Sequence, residues 1–118
     1  MPHVRMLFIE EPAVMELLAN NKTRVREIVA ALTGYDPEAI AVIPEMVSRA
    51  LLRLSDNLLP LEFVIDAGTK CANRSEDIAL AIKNAIVTDI PEFGAVHFGI
   101  WFRTMTDNGF VEHKPASV

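Results

Sequence analysis

The chain has 118 residues, 51% of them hydrophobic, and a formal charge of -5. A chain of this size and composition suits one compact domain that buries roughly two-thirds of its unfolded surface, which excludes a solvated, disordered polymer. The acidic balance and the lack of any Lys/Arg cluster exclude a nucleic-acid footprint and a basic membrane patch.

From His3 to Ile9 the sequence alternates, with Val4, Met6 and Phe8 on one face and His3, Arg5 and Leu7 on the other, as a strand with one apolar face does. From Glu11 to Leu32 the residues Val14, Met15, Leu17, Leu18, Val25, Ile28, Val29 and Leu32 recur at helical spacing. Pro12 opens that helix, Gly34 closes it, and Asn20-Asn21-Lys22-Thr23 interrupts its apolar stripe for about one turn, a place for a kink or a polar bulge. After a turn at Tyr35-Asp36-Pro37, the apolar run Ala39 to Ile43 reads as a short buried strand. The segment Glu45 to Leu59 suits a helix, but paired apolar residues spoil its stripe and its structure stays open.

The second half repeats the plan. Leu61 to Ile65 reads as a strand, and Asn73 with Glu76 as a capping box for a helix that buries Ile78, Ala79, Ile82, Ala85 and Ile86 and stops before Pro91. Ala95 to Met105 reads as a third long strand, and the turn Asp107-Asn108-Gly109 returns the chain into a short hairpin arm, Phe110 to Glu112. The expectation is an α/β (α+β) fold: two tandem β-α-β units forming a four-stranded mixed sheet with two helices on one face. It spans residues 1–118 as one domain, with the first unit at about 2–44, the second at about 60–105 and the arm at 106–113. Apolar residues on both sides of the inner strands imply that the second sheet face is covered by association.

The tandem β-α-β plan, the amino-terminal Met-Pro, the run Thr33-Gly34 to Ile40-Ala41-Val42 and Asn73-Arg74-Ser75 at the second helix start resemble the tautomerase superfamily. That superfamily includes macrophage migration inhibitory factor, 4-oxalocrotonate tautomerase and 5-carboxymethyl-2-hydroxymuconate isomerase. The chain is most similar to small, uncharacterised bacterial tautomerase-like proteins that begin Met-Pro-His-x-Arg. Those also carry a Pro eight residues before a Gly, as Pro60 precedes Gly68, and an Arg-Thr like Arg103-Thr104. The resemblance implies a homotrimer with a pocket at each subunit boundary, no cofactor, and removal of Met1 to leave Pro2 as a secondary amine at the pocket floor.

An α-amino group has a reference pKa of about 7.7 to 8.0, so modest desolvation leaves it neutral and basic near pH 7. Pro2 can then move a proton between carbon and oxygen of a small keto or enol acid, or attack an electrophilic carbon. The arginines that hold carboxylates in the oxalocrotonate branch are replaced here by Pro12 and Ile40, and the lysine of the migration-factor branch by Tyr35. Arg103 stands in as a carboxylate clamp reaching a neighbouring pocket, or is a salt-bridge partner. His97 is a hydrogen-bond donor to a carbonyl or a structural histidine, and Trp101 is a pocket wall or core. Ile65 offers its backbone N–H to the substrate or pairs in the sheet. Arg5 and His3 form a polar plug between subunits.

The three histidines lack metal-ligand spacing, no phosphate loop occurs, and the single cysteine, Cys71, is expected to be an inert thiol. No signal peptide or membrane span is read, so a cytoplasmic protein is expected. Two alternatives to the tautomerase remain: a non-catalytic oligomeric ligand-binding or regulatory module on the same fold, and a ferredoxin-like sensing dimer.

Overall fold

The structure, a computed structural model, describes residues 2–48, 59–69 and 71–116. The elements run β1 (His3–Ile9), α1 (Pro12–Thr33), β2 (Ala41–Val47), β3 (Leu61–Asp66), α2 (Ser75–Asp89), β4 (Phe98–Arg103) and β5 (Asn108–His113), with 3-10 turns at Pro37–Ala39 and Pro91–Ala95. The fold is α+β. Its mixed sheet has the order β2-β1-β3-β4-β5, with β2 parallel to β1, β3 antiparallel to β1, β4 parallel to β3 and β5 antiparallel to β4.

One face of the sheet and the two helices share a single core. Val4 and Met6 of β1, Leu61, Phe63 and Ile65 of β3 and Phe98, Ile100 and Phe102 of β4 pack with Val14, Leu18, Val25 and Val29 of α1 and with Ile78, Ala79, Ile82 and Ile86 of α2. Phe63, Phe93 and Phe98 meet at its centre with ring centroids 5.7 to 6.0 Å apart, in the tilted and edge-on arrangements that aromatic quadrupoles prefer.

Helix α1 runs without a break through Asn20 to Thr23. The Asn21 side chain donates to the Leu17 carbonyl at 2.9 Å, so this polar turn is satisfied on the helix itself. Gly34 ends it with φ 81°, a left-handed conformation that costs glycine nothing, and its N–H caps the Ala30 carbonyl at 2.9 Å.

Four expectations are corrected. The sheet has five strands, because the supposed arm is β5, paired with β4 from Asn108 beside Arg103 to His113 beside Phe98. The second strand begins at Ala41 and runs to Val47: Asp36 accepts from Glu38 N at 2.9 Å and holds Pro37–Ala39 in a 3-10 turn. As an edge strand it buries only Val42. It also accommodates Pro44: the Ala41 N–H points to β1, where it donates to the Pro2 carbonyl, so by alternation the Pro44 nitrogen faces the open edge.

The third long strand is shorter, Phe98–Arg103, because Pro91–Ala95 forms a 3-10 turn before it. Finally, Asn73 and Glu76 make no capping box. Asn73 has φ 68°, Arg74 is the cap position, and the helix start is satisfied from 32 residues away by Asp107. Of the segment Glu45 to Leu59, Glu45–Val47 belong to β2, and 49–58 lie outside the described residues.

Candidate functional site

Pro2 is buried at the head of β1, and its carbonyl accepts from Ala41 N at 3.2 Å. Alternation puts its ring on the helix side with Val4, since His3 is on the other face. One step beyond the His3–Asp66 pair, its neighbour across β3 is Ala67, and on the β2 side stands Ile40; both are buried. An apolar cradle therefore surrounds the proline.

Helix α1 runs back along β1, so the loop that follows Gly34 returns to this end of the sheet. Tyr35 in that loop packs against the core and donates its hydroxyl hydrogen to the Ala67 carbonyl. The far side of the site is tied down by backbone: Ala67 N donates to Arg103 O at 2.9 Å and Met105 N to Gly68 O at 3.1 Å.

The turn after β4 is built on Asp107. Its carboxylate accepts from Thr104 Oγ1 at 2.6 Å, Ser75 Oγ at 2.8 Å, Asn73 N at 3.0 Å and Ser75 N at 3.1 Å. These donors, the Thr104 hydroxyl first, hold the Asp107 carboxyl down at about 2. The turn and the start of α2 are thus stapled together at the Pro2 end of the sheet.

Arg103 reaches the same end but on the opposite, helix-free face. Its Nε and Nη2 donate to the two oxygens of Asp66 at 2.7 and 3.0 Å, a bidentate pair that raises the guanidinium pKa. Trp101 sits two residues back on the same face, 38% exposed, with its ring 4.7 Å from Phe110. Arg5, Glu62, Val64, Trp101, Arg103 and Asn108 line a shallow concavity of about 350 Å³ there, and burial pushes the Glu62 carboxyl up.

Ile65 lies inside the sheet, opposite Val4 and beside Phe102, with its side chain buried in the core. Since the Ala67 N–H points to β4, alternation points the Ile65 N–H the same way, into the ladder. His97 precedes β4 at the other end of the sheet, about 20 Å along the strand from Arg103 by strand rise. There its Nε2 lies 2.7 Å from the Glu112 carboxylate, which the contact holds below its usual range. Within one chain, then, Pro2 and Arg103 share an end of the sheet, and His97 does not join them.

A cavity of about 430 Å³ lies between the start of α1 and the Pro91–Ala95 turn, lined in part by Val14, Leu17, Glu92 and Val96. It contains none of the candidate residues. Among the described residues no group of three His, Cys, Asp or Glu side chains is placed to hold a metal ion, and no helix is long and apolar enough to cross a membrane.

Among solved structures, the chain is similar to the F6 fused 4-OT wild-type asymmetric trimer. It is 20% identical over 89% of each chain, with a TM-score of 0.51. The fold is tautomerase-like. Pt0534 inactivated by 2-oxo-3-pentynoate is also similar, at 19% identity over 76% of each chain and a TM-score of 0.43. No family model matches the chain, and no curated protein matches it in sequence.

Sequence reasoning passed over Tyr35 as a working group, although it is the only tyrosine and follows the glycine that ends α1. A helix that crosses back over its strand must deliver its C-terminal loop to the strand's beginning, and that was the available signal. Asp66 and Asp107 carried no comparable signal, because Arg103 lies 37 residues from Asp66 and Ser75 lies 32 residues from Asp107.

Proposed function

We propose that this protein is a homotrimeric tautomerase in which Pro2, exposed as a secondary amine by loss of Met1, is the general base for a small keto or enol acid. The observation that carries the reading is a buried proline at the head of β1 in a tautomerase-like fold. An apolar cradle of Val4, Ile40 and Ala67 disfavours the ammonium form and keeps the amine neutral.

The neutral nitrogen takes a proton from the carbon beside the carbonyl. The C–H electron pair becomes the new C=C bond, the carbonyl π pair moves onto oxygen, and the same ammonium returns its proton to that oxygen to complete the enol. In the trimer, the concave open face is covered by neighbouring subunits, Arg103 clamps the substrate carboxylate, and Trp101 walls the pocket. His97, distant within one chain, reaches the pocket of the next subunit. A cytoplasmic setting suits such a small enzyme.

A second reading, a ligand-binding module without turnover, is favoured by one observation: Arg103 is already paired with Asp66, and His97 is hydrogen-bonded to Glu112. Intact mass and turnover decide between the two. The proposal expects a purified chain lacking Met1 and keto–enol conversion of phenylpyruvate that falls at least about 10²-fold in Pro2→Ala. A retained Met1, or full turnover by Pro2→Ala, removes Pro2 as the base.

A further inference from the structure

Deprotonating a carbon beside a carbonyl places negative charge on the carbonyl oxygen, and a base alone leaves that charge unmatched. Of the groups expected from sequence, His97 lies at the other end of the sheet, and Arg103, the carboxylate clamp, is directed to the helix-free face and held by both oxygens of Asp66. Pro2 is directed to the helix face. Tyr35 is on Pro2's side: it packs against the helix-side core and gives its hydroxyl hydrogen to Ala67, the residue across from Pro2. The same oxygen lies beside Gly68, where an added Cβ would stand 3.9 Å from it.

From this geometry we infer that the Tyr35 hydroxyl is the second catalytic group of the site: it donates a hydrogen bond to the carbonyl oxygen of the keto acid whose α-proton Pro2 removes. The inference rests on the reading of Pro2 as base. The phenol proton is directed at the Ala67 carbonyl; rotation about the phenol C–O bond redirects it to an incoming oxygen without moving the packed ring. The hydrogen stays on tyrosine throughout, and only Pro2 carries a proton between atoms of the substrate. Such a pairing of one base and one neutral donor suits a monocarboxylate 2-keto acid with an apolar tail rather than a diacid. It needs no second cation, and the cradle around Pro2 is apolar.

Tyr35 is the only tyrosine in the chain, so growth on 3-fluorotyrosine places one fluorine label at the site. Saturation of the labelled Pro2→Ala variant with phenylpyruvate, which that variant is expected to turn over at least about 10²-fold more slowly, is expected to shift the single ¹⁹F resonance. Tyr35→Phe, which keeps the packed ring, is expected to lower kcat about 10²-fold with KM changed by less than about threefold, the mark of a contact made mainly in the transition state. An unmoved resonance together with native kcat in Tyr35→Phe, while Pro2→Ala is inactive, overturns the role of Tyr35 and leaves Pro2 as base. Native turnover by Pro2→Ala overturns both.

Discussion

Asp107 makes four hydrogen bonds through one carboxylate, three of them to Asn73 and Ser75 at the start of α2 and one to Thr104 in its own turn. A carboxylate held at about 2 in the folded chain, against an ordinary 3.8, binds its proton more readily when unfolded. Its stabilising contribution is therefore present above about pH 4 and lost as pH falls through about 2. Acid titration of the unfolding midpoint is expected to show a steeper fall between pH 4 and 2 in the native chain than in Asp107→Ala. At pH 7 the variant melts at a lower temperature, because Ser75 N and Asn73 N lose their acceptor. Equal slopes for the two proteins would remove Asp107 from the staple. Nothing near Asn73 in sequence announces this arrangement. Local spacing pointed to Glu76 as the capping partner, whereas the acceptor arrives with a turn 32 residues later.

At the scale of elements, β5 shows how a strand can hide in a turn motif. Asp107-Asn108-Gly109 has hairpin-turn composition, yet Asn108 and Gly109 are already strand, paired with Arg103 and Phe102. Gly109 is needed for another reason: a Cβ there would lie 2.5 Å from the Cα and N of Glu76, inside the backbone of α2. Helix and strand touch because this position has no side chain.

Gly99 looks equally crowded, but its added Cβ would meet the Phe110 ring at 2.7 Å and the tip of Leu59 at 2.9 Å, side chains that can turn aside. Gly109→Ala is therefore expected to destabilise the chain by about 2–3 kcal/mol, and Gly99→Ala by about 1 kcal/mol or less. Equilibrium urea unfolding measures both, and the reverse order would mean that β5 does not pack on α2. Periodicity made β1, α1, β3 and α2 readable because each has one face in the core. It misplaced β2 because Ile40 and Val42 are the buried part of its apolar run, while Ile43 faces the open side at 40% exposure.

At the scale of the whole molecule, the helix-free face is where a single chain tells least. The cross-strand row Ile43, Arg5, Val64, Trp101, Phe110 crosses all five strands. At its middle Val64 is buried, while Ile43 and Trp101 remain 40% and 38% exposed. A sequence can show that such a row has apolar members on a second face, as Val64 and Trp101 do. It cannot show which surface meets them, so the proposed pocket between subunits rests on the resemblance and not on periodicity.

If neighbouring copies cover this row, a charge at Val64 is buried without a partner in the assembly, yet the core on the other side of β3 is unaffected. Light scattering is expected to give a trimer mass for the native chain. Val64→Arg is expected to be monomeric at concentrations at least about tenfold above those that hold the native trimer, with native far-ultraviolet circular dichroism. Phenylpyruvate turnover per chain should fall with the trimer fraction, because Arg103 and His97 act on a neighbouring subunit's pocket in the proposed assembly. A native chain that stays monomeric and active would place the whole site, Pro2 with Tyr35, inside one subunit and leave the open face without a part in catalysis.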